Sequence, residues 1–256
     1  MRLSATVVSC VISFCCLVGY TFAKKKIIDE VKICKRNDPN LSDCYADNFR
    51  RLVPLTKNGI PEMNLLKVEP LLVDKVLLDF TQSRTFRLET VLEKINMSGL
   101  GATNLTGCVI KIIPDGMTAD LEMNIPEVTM KSTYKAKGNF LLININSKGD
   151  FVGNFTGLKV RGQWKSQRFM KKNKEYLGFK DTSLDIEIKV IRVHFENLFG
   201  NNTELNDSIN NAINDNIDVL YDELKPIVLQ TIRAIILEAV NNVFGLFPYN
   251  VLFPEK

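Results

Sequence analysis

The spacing of apolar residues changes in this chain near residues 66 and 200, and the second change dictates most of what the chain can fold into. From about residue 66 to 195 the period is two. Leu121, Met123 and Ile125 alternate with Asp120, Glu122 and Asn124, and Val128, Met130 and Tyr134 alternate with Glu127, Thr129, Lys131 and Lys135. Leu184, Ile186, Ile188 and Val190 alternate in turn with Asp185, Glu187 and Lys189. A period of two with one apolar side marks antiparallel strands that have one dry face and one wet face. From about Thr203 to Phe244 the spacing becomes three and four, through Leu205, Ile209, Ile213, Ile217, Leu220 and Leu224 and, beyond Pro226, through Leu229, Ile232, Ile236, Ala239 and Val243. One helix of that extent would be roughly 60 Å long. Its second half is apolar nearly all round, which demands burial on most sides, while Gln230, Arg233 and Glu238 interrupt it too often for a membrane span. The preceding strands are the available cover. The expected fold class is therefore α+β: a long curved antiparallel β-sheet wrapped around a long C-terminal helix, in one elongated domain. Periodicity leaves two readings of the interior open, because a dry face looks the same over a filled core and over an apolar tunnel.

Shorter signals complete the outline. Leu41, Tyr45, Phe49 and Leu52 predict a helix from about Ser42 to Lys57, with Pro54 disturbing its last turn and Asn58-Gly59 stopping it. Lys137-Gly138-Asn139 and Lys148-Gly149-Asp150 suit hairpin turns.

Residues 1–23 read as a signal peptide: Arg2, an apolar stretch from Val7 to Val18, and the small residues Thr21 and Ala23 around Phe22 at the cleavage site. The mature domain is then 24–256, in an extracellular, oxidising compartment. Removing the leader discards Cys10, Cys15 and Cys16 and leaves Cys34, Cys44 and Cys108. The close pair Cys34 and Cys44 is the expected disulfide, and Cys108 is either a buried free thiol or the source of an intermolecular bond. Sequons at Asn96, Asn104, Asn154, Asn201 and Asn206 are candidate glycosylation sites.

The order and spacing of several runs carry a family resemblance. Cys34, Cys44, the run Gly59-Ile60-Pro61-Glu62-Met63 and then Val68-Glu69-Pro70-Leu71 resemble the N-terminal signature of insect takeout proteins and haemolymph juvenile hormone binding proteins. Ser98-Gly99-Leu100, Tyr134 to Gly138, Lys148 to Phe151, Glu196 to Gly200, Leu224-Lys225-Pro226 and Phe244 to Phe253 follow in the order of that family. The resemblance covers essentially all of 30–253. It implies the wrapped-helix fold with an internal hydrophobic tunnel for a small lipophilic ligand, such as juvenile hormone, another isoprenoid or a fatty-acid-like molecule. It also implies the Cys34–Cys44 bond, no catalysis, no cofactor and no metal. Hormone binding proteins proper have a second disulfide; this chain lacks the cysteines for it, which places it nearer the takeout branch. Glu69 stands where that family commonly has Asp.

Strand parity combined with the resemblance gives the expected ligand-facing residues. On the strands they are Leu121, Met123, Val128, Met130, Tyr134 and Phe151, followed by Phe155, Leu184, Ile186 and Ile188. On the helix they are Ile213, Ile217, Leu220, Ile232 and Ile236. Each alone reads first as plain core. The Tyr134 hydroxyl either meets a polar atom of the ligand or bonds a neighbouring backbone group. Trp164, among Arg161, Lys165 and Arg168, reads as a strand or loop-surface packing residue or as the flank of a tunnel mouth.

Other chemistry lacks its vocabulary. The single histidine, His194, has no nucleophile or acid constellation around it, and the serine hydrolase, zinc protease and phosphate-loop motifs are missing from the sequence. A formal net charge of +4 is too slight for nucleic acid. Lys171-Lys172-Asn173-Lys174 reads as a solvated hairpin tip, with contact to an anionic membrane surface as the less favoured alternative. The expected protein is a secreted, monomeric, non-enzymatic carrier. Its rivals are a secreted protein-interaction module with a solid core and a membrane lipid-transfer protein.

Overall fold

The structure, a computed structural model, describes residues 31–61, 65, 67–81, 86–140 and 143–255. The expected leader 1–23 and the Glu62 and Met63 of the signature run lie outside the described residues. Helix α1 (Leu41–Thr56) is followed by strands β1 (Leu71–Asp79), β2 (Phe86–Ser98), β3 (Asn104–Ile113), β4 (Gly116–Phe140), β5 (Ile143–Lys171) and β6 (Lys174–Phe195). Helices α2 (Thr203–Asp215), α3 (Ile217–Phe244) and the short α4 (Tyr249–Leu252) close the chain.

All six strands join one antiparallel sheet in the order β1-β2-β4-β5-β6. Strand β3 pairs with the first part of β4, through Asn104–Asn124 to Ile113–Gly116, and β2 pairs with the later part of the same edge. The three long strands bend together. Ile125 and Val128 both face inward on β4, as do Phe155 and Leu158 on β5 and Ile188 and Ile191 on β6, so the inward parity switches on each strand. The switch runs through Pro126, Gly157 and Lys189: the ladder pairs Ile125 with Leu158 and Glu127 with Thr156, then Leu158 with Ile188 and Thr156 with Val190. Proline has no N–H to give a ladder, and Gly157 takes φ +68°, where a Cβ would come within 3.0 Å of Lys189 Cβ. This switch corrects the unbroken alternation read over Leu184–Val190, because it turns Val190 outward to 40% exposure.

Two expected turns prove to be strand interior. Gly138 lies within β4 opposite Ile145, and Gly149 lies within β5 opposite Tyr134. Both glycines mark close backbone approach. A Cβ on Gly138 would sit 1.9 Å from the Arg87 carbonyl oxygen, and one on Gly149 would sit 2.1 Å from that of Glu196. The ladder between β4 and β5 continues past both glycines to the pair Phe140–Ile143.

The C-terminal helical stretch is two helices, not one. It breaks at Asn216 (φ −111°, ψ 18°), whose side-chain amide donates to Ala212 O at 2.8 Å. Asparagines fasten both helices to the free edge of β6. Asn210 accepts from Phe195 N at 2.8 Å and donates to Phe195 O at 2.9 Å, and Asn214 does the same with Val193 at 2.9 and 2.8 Å. Asn206 holds Phe199 N and Gly200 O, and Asn241, far along α3, holds Phe179 N and O at 2.7 and 2.8 Å. An exposed edge strand invites pairing with another chain; here side-chain amides occupy its donors and acceptors. Tyr221 Oη donates to Ile186 O at 2.7 Å and Lys225 pairs with Asp185 at 2.7 Å along the same seam.

The two ends of the described chain meet. Cys34 and Cys44 form a disulfide, as expected, with Cα atoms 5.8 Å apart, and Cys108 is a free, half-buried thiol. Arg36 N donates to Pro254 O at 3.0 Å, Arg36 Nε donates to Phe253 O at 3.0 Å, and Tyr45 stacks on Phe253 with centroids 5.5 Å apart. Phe253 is fully buried there.

Candidate functional site

The candidate site is the inner surface between the concave face of the sheet and helix α3. That helix packs along β6 and also touches β1, the strand at the opposite edge. It therefore bridges the mouth of the rolled sheet. Its outer stripe, Asp218, Asp222, Pro226, Gln230, Ala234, Glu238 and Asn242, recurs every fourth residue and is exposed. Its inner stripe is apolar, yet only Leu220 and Leu229 of its 28 residues are buried. The expectation of a helix covered on most sides is corrected: neighbouring side chains cover the inner stripe only in part.

The interior is organised as successive apolar clusters along the sheet. At one end Tyr134 and Phe151 lie with Leu92, Ile95 and Leu198, with Met130 and Ile213 packed against them. Leu220 joins Phe80 beside that end. In the middle Val128, Leu184 and Ile186 surround Leu229, with Met123, Phe155, Ile188, Ile232 and Ile236 partly buried against them. At the far end Leu121, Met123 and Ile236 pack on a group that includes Met117, Trp164, Phe179 and Phe253. Of the expected ligand-facing residues, Ile217 alone belongs to none of these clusters among the described residues. The others all lie on the inner side, distributed along its length and not gathered at one spot.

Three side chains meet partners that the sequence did not identify. Tyr134 is 1% exposed, and its hydroxyl donates to Glu196 O at 2.7 Å while its ring meets Phe195 edge-on at 5.3 Å. Burial pushes its phenol pKa up. The backbone-bonding alternative is the one observed. Trp164 is the strand packing residue of the expected alternatives: on β5 it is 7% exposed, and its indole fills the space above Gly162, where a Cβ would lie 2.0 Å from the ring. Asn206 is 9% exposed, its amide nitrogen donates to Gly200 O at 2.8 Å and its amide oxygen accepts from Phe199 N at 2.8 Å. Asn104, Asn154 and Asn201 are exposed and Asn96 is half-buried in β2. His194 is an exposed residue of β6.

Three buried polar groups without a hydrogen-bond partner among the described residues escaped sequence reasoning: the hydroxyls of Ser132 and Ser147 and the indole Nε1 of Trp164. Ser132 shares the inward parity of Val128, Met130 and Tyr134 and lies opposite Phe151. It is 7% exposed, and its hydroxyl has no hydrogen-bond partner among the described residues. A buried hydroxyl without a partner costs about 1–3 kcal/mol. A serine where an alternation of apolar residues predicts another apolar one was the available signal. Among the described residues no cluster of His, Cys, Asp or Glu could hold a metal ion.

Two open pockets lie elsewhere. A groove of about 470 Å³ between β6 and α3 is lined by Lys180, Thr182, Pro226, Gln230, Arg233 and Leu237, among others, and one of about 300 Å³ lies between α1 and the start of β3. Neither is lined by any of the residues expected to face a ligand.

Comparison with known proteins agrees with this architecture. The sequence profile of the haemolymph juvenile hormone binding protein (JHBP) family matches residues 10–254. The circadian clock-controlled protein daywake of Drosophila melanogaster is 24% identical over 236 residues, covering 88% of each chain, and that of Drosophila yakuba is 22% identical over 235 residues with the same coverage. The crystal structure of Takeout 1 from Epiphyas postvittana superposes with a TM-score of 0.72 at 18% identity, over 88% of this chain and 100% of that one. At that identity the likeness is one of fold.

Proposed function

This chain belongs to the haemolymph juvenile hormone binding protein family, and from that premise we propose that it is an extracellular carrier of one small lipophilic molecule. The cargo, an isoprenoid, juvenile-hormone-like or fatty-acid-like, lodges in an apolar tunnel between the concave sheet and α3. The observation that carries the reading is the inner stripe of α3. Leu224, Ile227, Ile232, Ile236 and Val240 face the sheet, but none is fully buried. An apolar helix turned inward and left half-covered is what an interior prepared for an apolar guest requires. Met123 and Met130 on the facing strands suit a wall that adapts to a flexible chain. With the Tyr134 hydroxyl bonded to Glu196 O, Ser132 offers a hydroxyl to an ester, epoxide or carboxyl oxygen.

A fifteen-carbon isoprenoid would bury about 400 Å², on the order of 10 kcal/mol before ordering costs. Those costs bring the affinity to the micromolar-to-nanomolar range, sufficient for a carrier. No step of bond making is involved. The test is native mass spectrometry of protein purified from a secreting host, followed by titration with a fluorescent fatty acid and a fluorescent isoprenoid. A lipophilic adduct, or saturable uptake with one site per chain, is expected. Protein that carries nothing and takes up neither probe would sink the reading.

A further inference from the structure

The positive charge of this chain is concentrated in one hairpin. Residues 165–180, the end of β5 and the start of β6, hold six cations and one acid. Their net charge of +5 exceeds the +4 of the whole sequence, so everything else sums to −1. At the tip, Lys171 and Lys174 stand directly opposite each other in the ladder. Like charges so placed destabilise a hairpin. Lys172 and Asn173 form the turn with φ of 49° and 59°, a conformation that favours glycine or asparagine and that lysine seldom takes. Among the described residues none of Lys171, Lys172 and Lys174 has an ion-pair partner. The one acid, Glu175, is engaged by Arg168 at 3.3 Å.

The tip is also apolar. Phe169 is 43% exposed and Met170 is 66% exposed. Being neighbours in a strand, they point to opposite faces, so the hairpin is an apolar wedge ringed by lysines. Phe169 lies beside Tyr176, with ring centroids 6.1 Å apart, and Lys171 Nζ sits 5.7 Å from the Tyr176 ring. A rigid base supports this wedge: Arg168 N donates to Asp115 O at 2.6 Å, Arg168 Nη2 donates to Pro114 O, and its guanidinium lies 5.2 Å from the Tyr249 ring. A polyanion in solution would need the charge but not the phenylalanine and methionine. A lipid surface uses both, attracting the lysines to its headgroups and accepting the side chains at the acyl boundary.

We infer that the β5–β6 hairpin tip docks this protein on anionic phospholipid membranes, with Phe169 and Met170 inserted and Lys171, Lys172 and Lys174 on the headgroups. The inference is independent of any cargo. It reverses the weight that the lysines alone suggest, because the exposed apolar pair supplies the second half of an interfacial anchor.

Co-sedimentation of the whole protein with vesicles tests it, using phosphatidylcholine alone against phosphatidylcholine with about 30 mol% phosphatidylserine at about 0.1 M salt. Binding to the anionic vesicles is expected, with loss on raising the salt to about 0.5 M. The pair Lys171→Glu and Lys174→Glu should weaken it at least about tenfold, and Phe169→Ser with Met170→Ser at least about fivefold at unchanged charge. Far-UV circular dichroism melts check that the variants remain folded, and Met170→Ser alone, at the most exposed position, serves should the double variant not fold. Equal affinity for neutral and anionic vesicles would overturn the proposal. So would serine variants that bind vesicles as the wild type does, or wild type bound as tightly by a soluble sulfated polysaccharide.

Discussion

The Glu69 carboxylate accepts from Gly99 N at 3.0 Å and from Gly101 N at 2.9 Å. It thereby joins two signature runs thirty residues apart at the point where Gly99, with φ +101°, lies so close to Glu127 O that no side chain fits. The Gly101 amide, then that of Gly99, favours the ionised form and holds the carboxyl below its ordinary 4.5. A lowered folded-state value means stability that is complete above about pH 4.5 and lost as pH falls through the lowered value. Glu69→Gln should therefore be less stable at neutral pH, by about 1 kcal/mol or less because the carboxylate is screened by solvent, and its melting temperature should converge on that of the wild type in acid. Tyr134 and Ser132 separate structure from binding. Tyr134→Phe removes a bond to Glu196 O, costing about 1 kcal/mol, and should leave probe uptake unchanged. Ser132→Val should keep or raise stability while weakening polar-headed probes more than a plain hydrocarbon. Parity placed Tyr134 on the inner face, and Ser132 shares that parity without having been read so; no parity rule says which hydroxyl the backbone claims, because Glu196 reaches Tyr134 only once the chain has left β6.

Elements were legible where a period persisted. The strand region, α1 and the helical character of the C-terminal stretch follow from spacing alone, but the break at Asn216 does not. The parity switch at Pro126, Gly157 and Lys189 was not legible, since it crosses three strands without any shift of their register and leaves only a one-residue break in the alternation of each. The turns assigned to Gly138 and Gly149 failed because a glycine that admits another backbone looks the same in sequence as one that bends its own. Gly149→Ala should force the Glu196 segment away and cost at least about 1–3 kcal/mol. The asparagine row at 206, 210 and 214 was readable as a polar i, i+4, i+8 line beside the apolar one, and its partner only becomes visible with the sheet edge in place. Asn210→Leu strands Phe195 N and O, for a cost of about 2–4 kcal/mol. Hydrogen exchange at the Phe195 amide should accelerate in that variant.

For the molecule as a whole, the open question of the sequence, solid interior or guest chamber, becomes a measurement at Ile236. This side chain borders both the middle and the far cluster. Ile236→Trp in a solid core is overpacking, with a penalty of about 1–3 kcal/mol. In a chamber the indole finds room: stability holds within about 1 kcal/mol and uptake of the fatty-acid probe falls at least tenfold, on the order of 1.4 kcal/mol. Calorimetry and fluorescence titration on one variant read both. The fastening of the C-terminal helices bears on how a guest would come and go. Asn206, Asn210 and Asn214 secure their start, and Asn241 and the Arg36–Phe253 clasp secure their finish. A beam bolted at both extremities is no door, so traffic must pass through the ends of the roll or past the lightly held β1 margin, and exchange rates should respond to changes there while ignoring the middle of the beam.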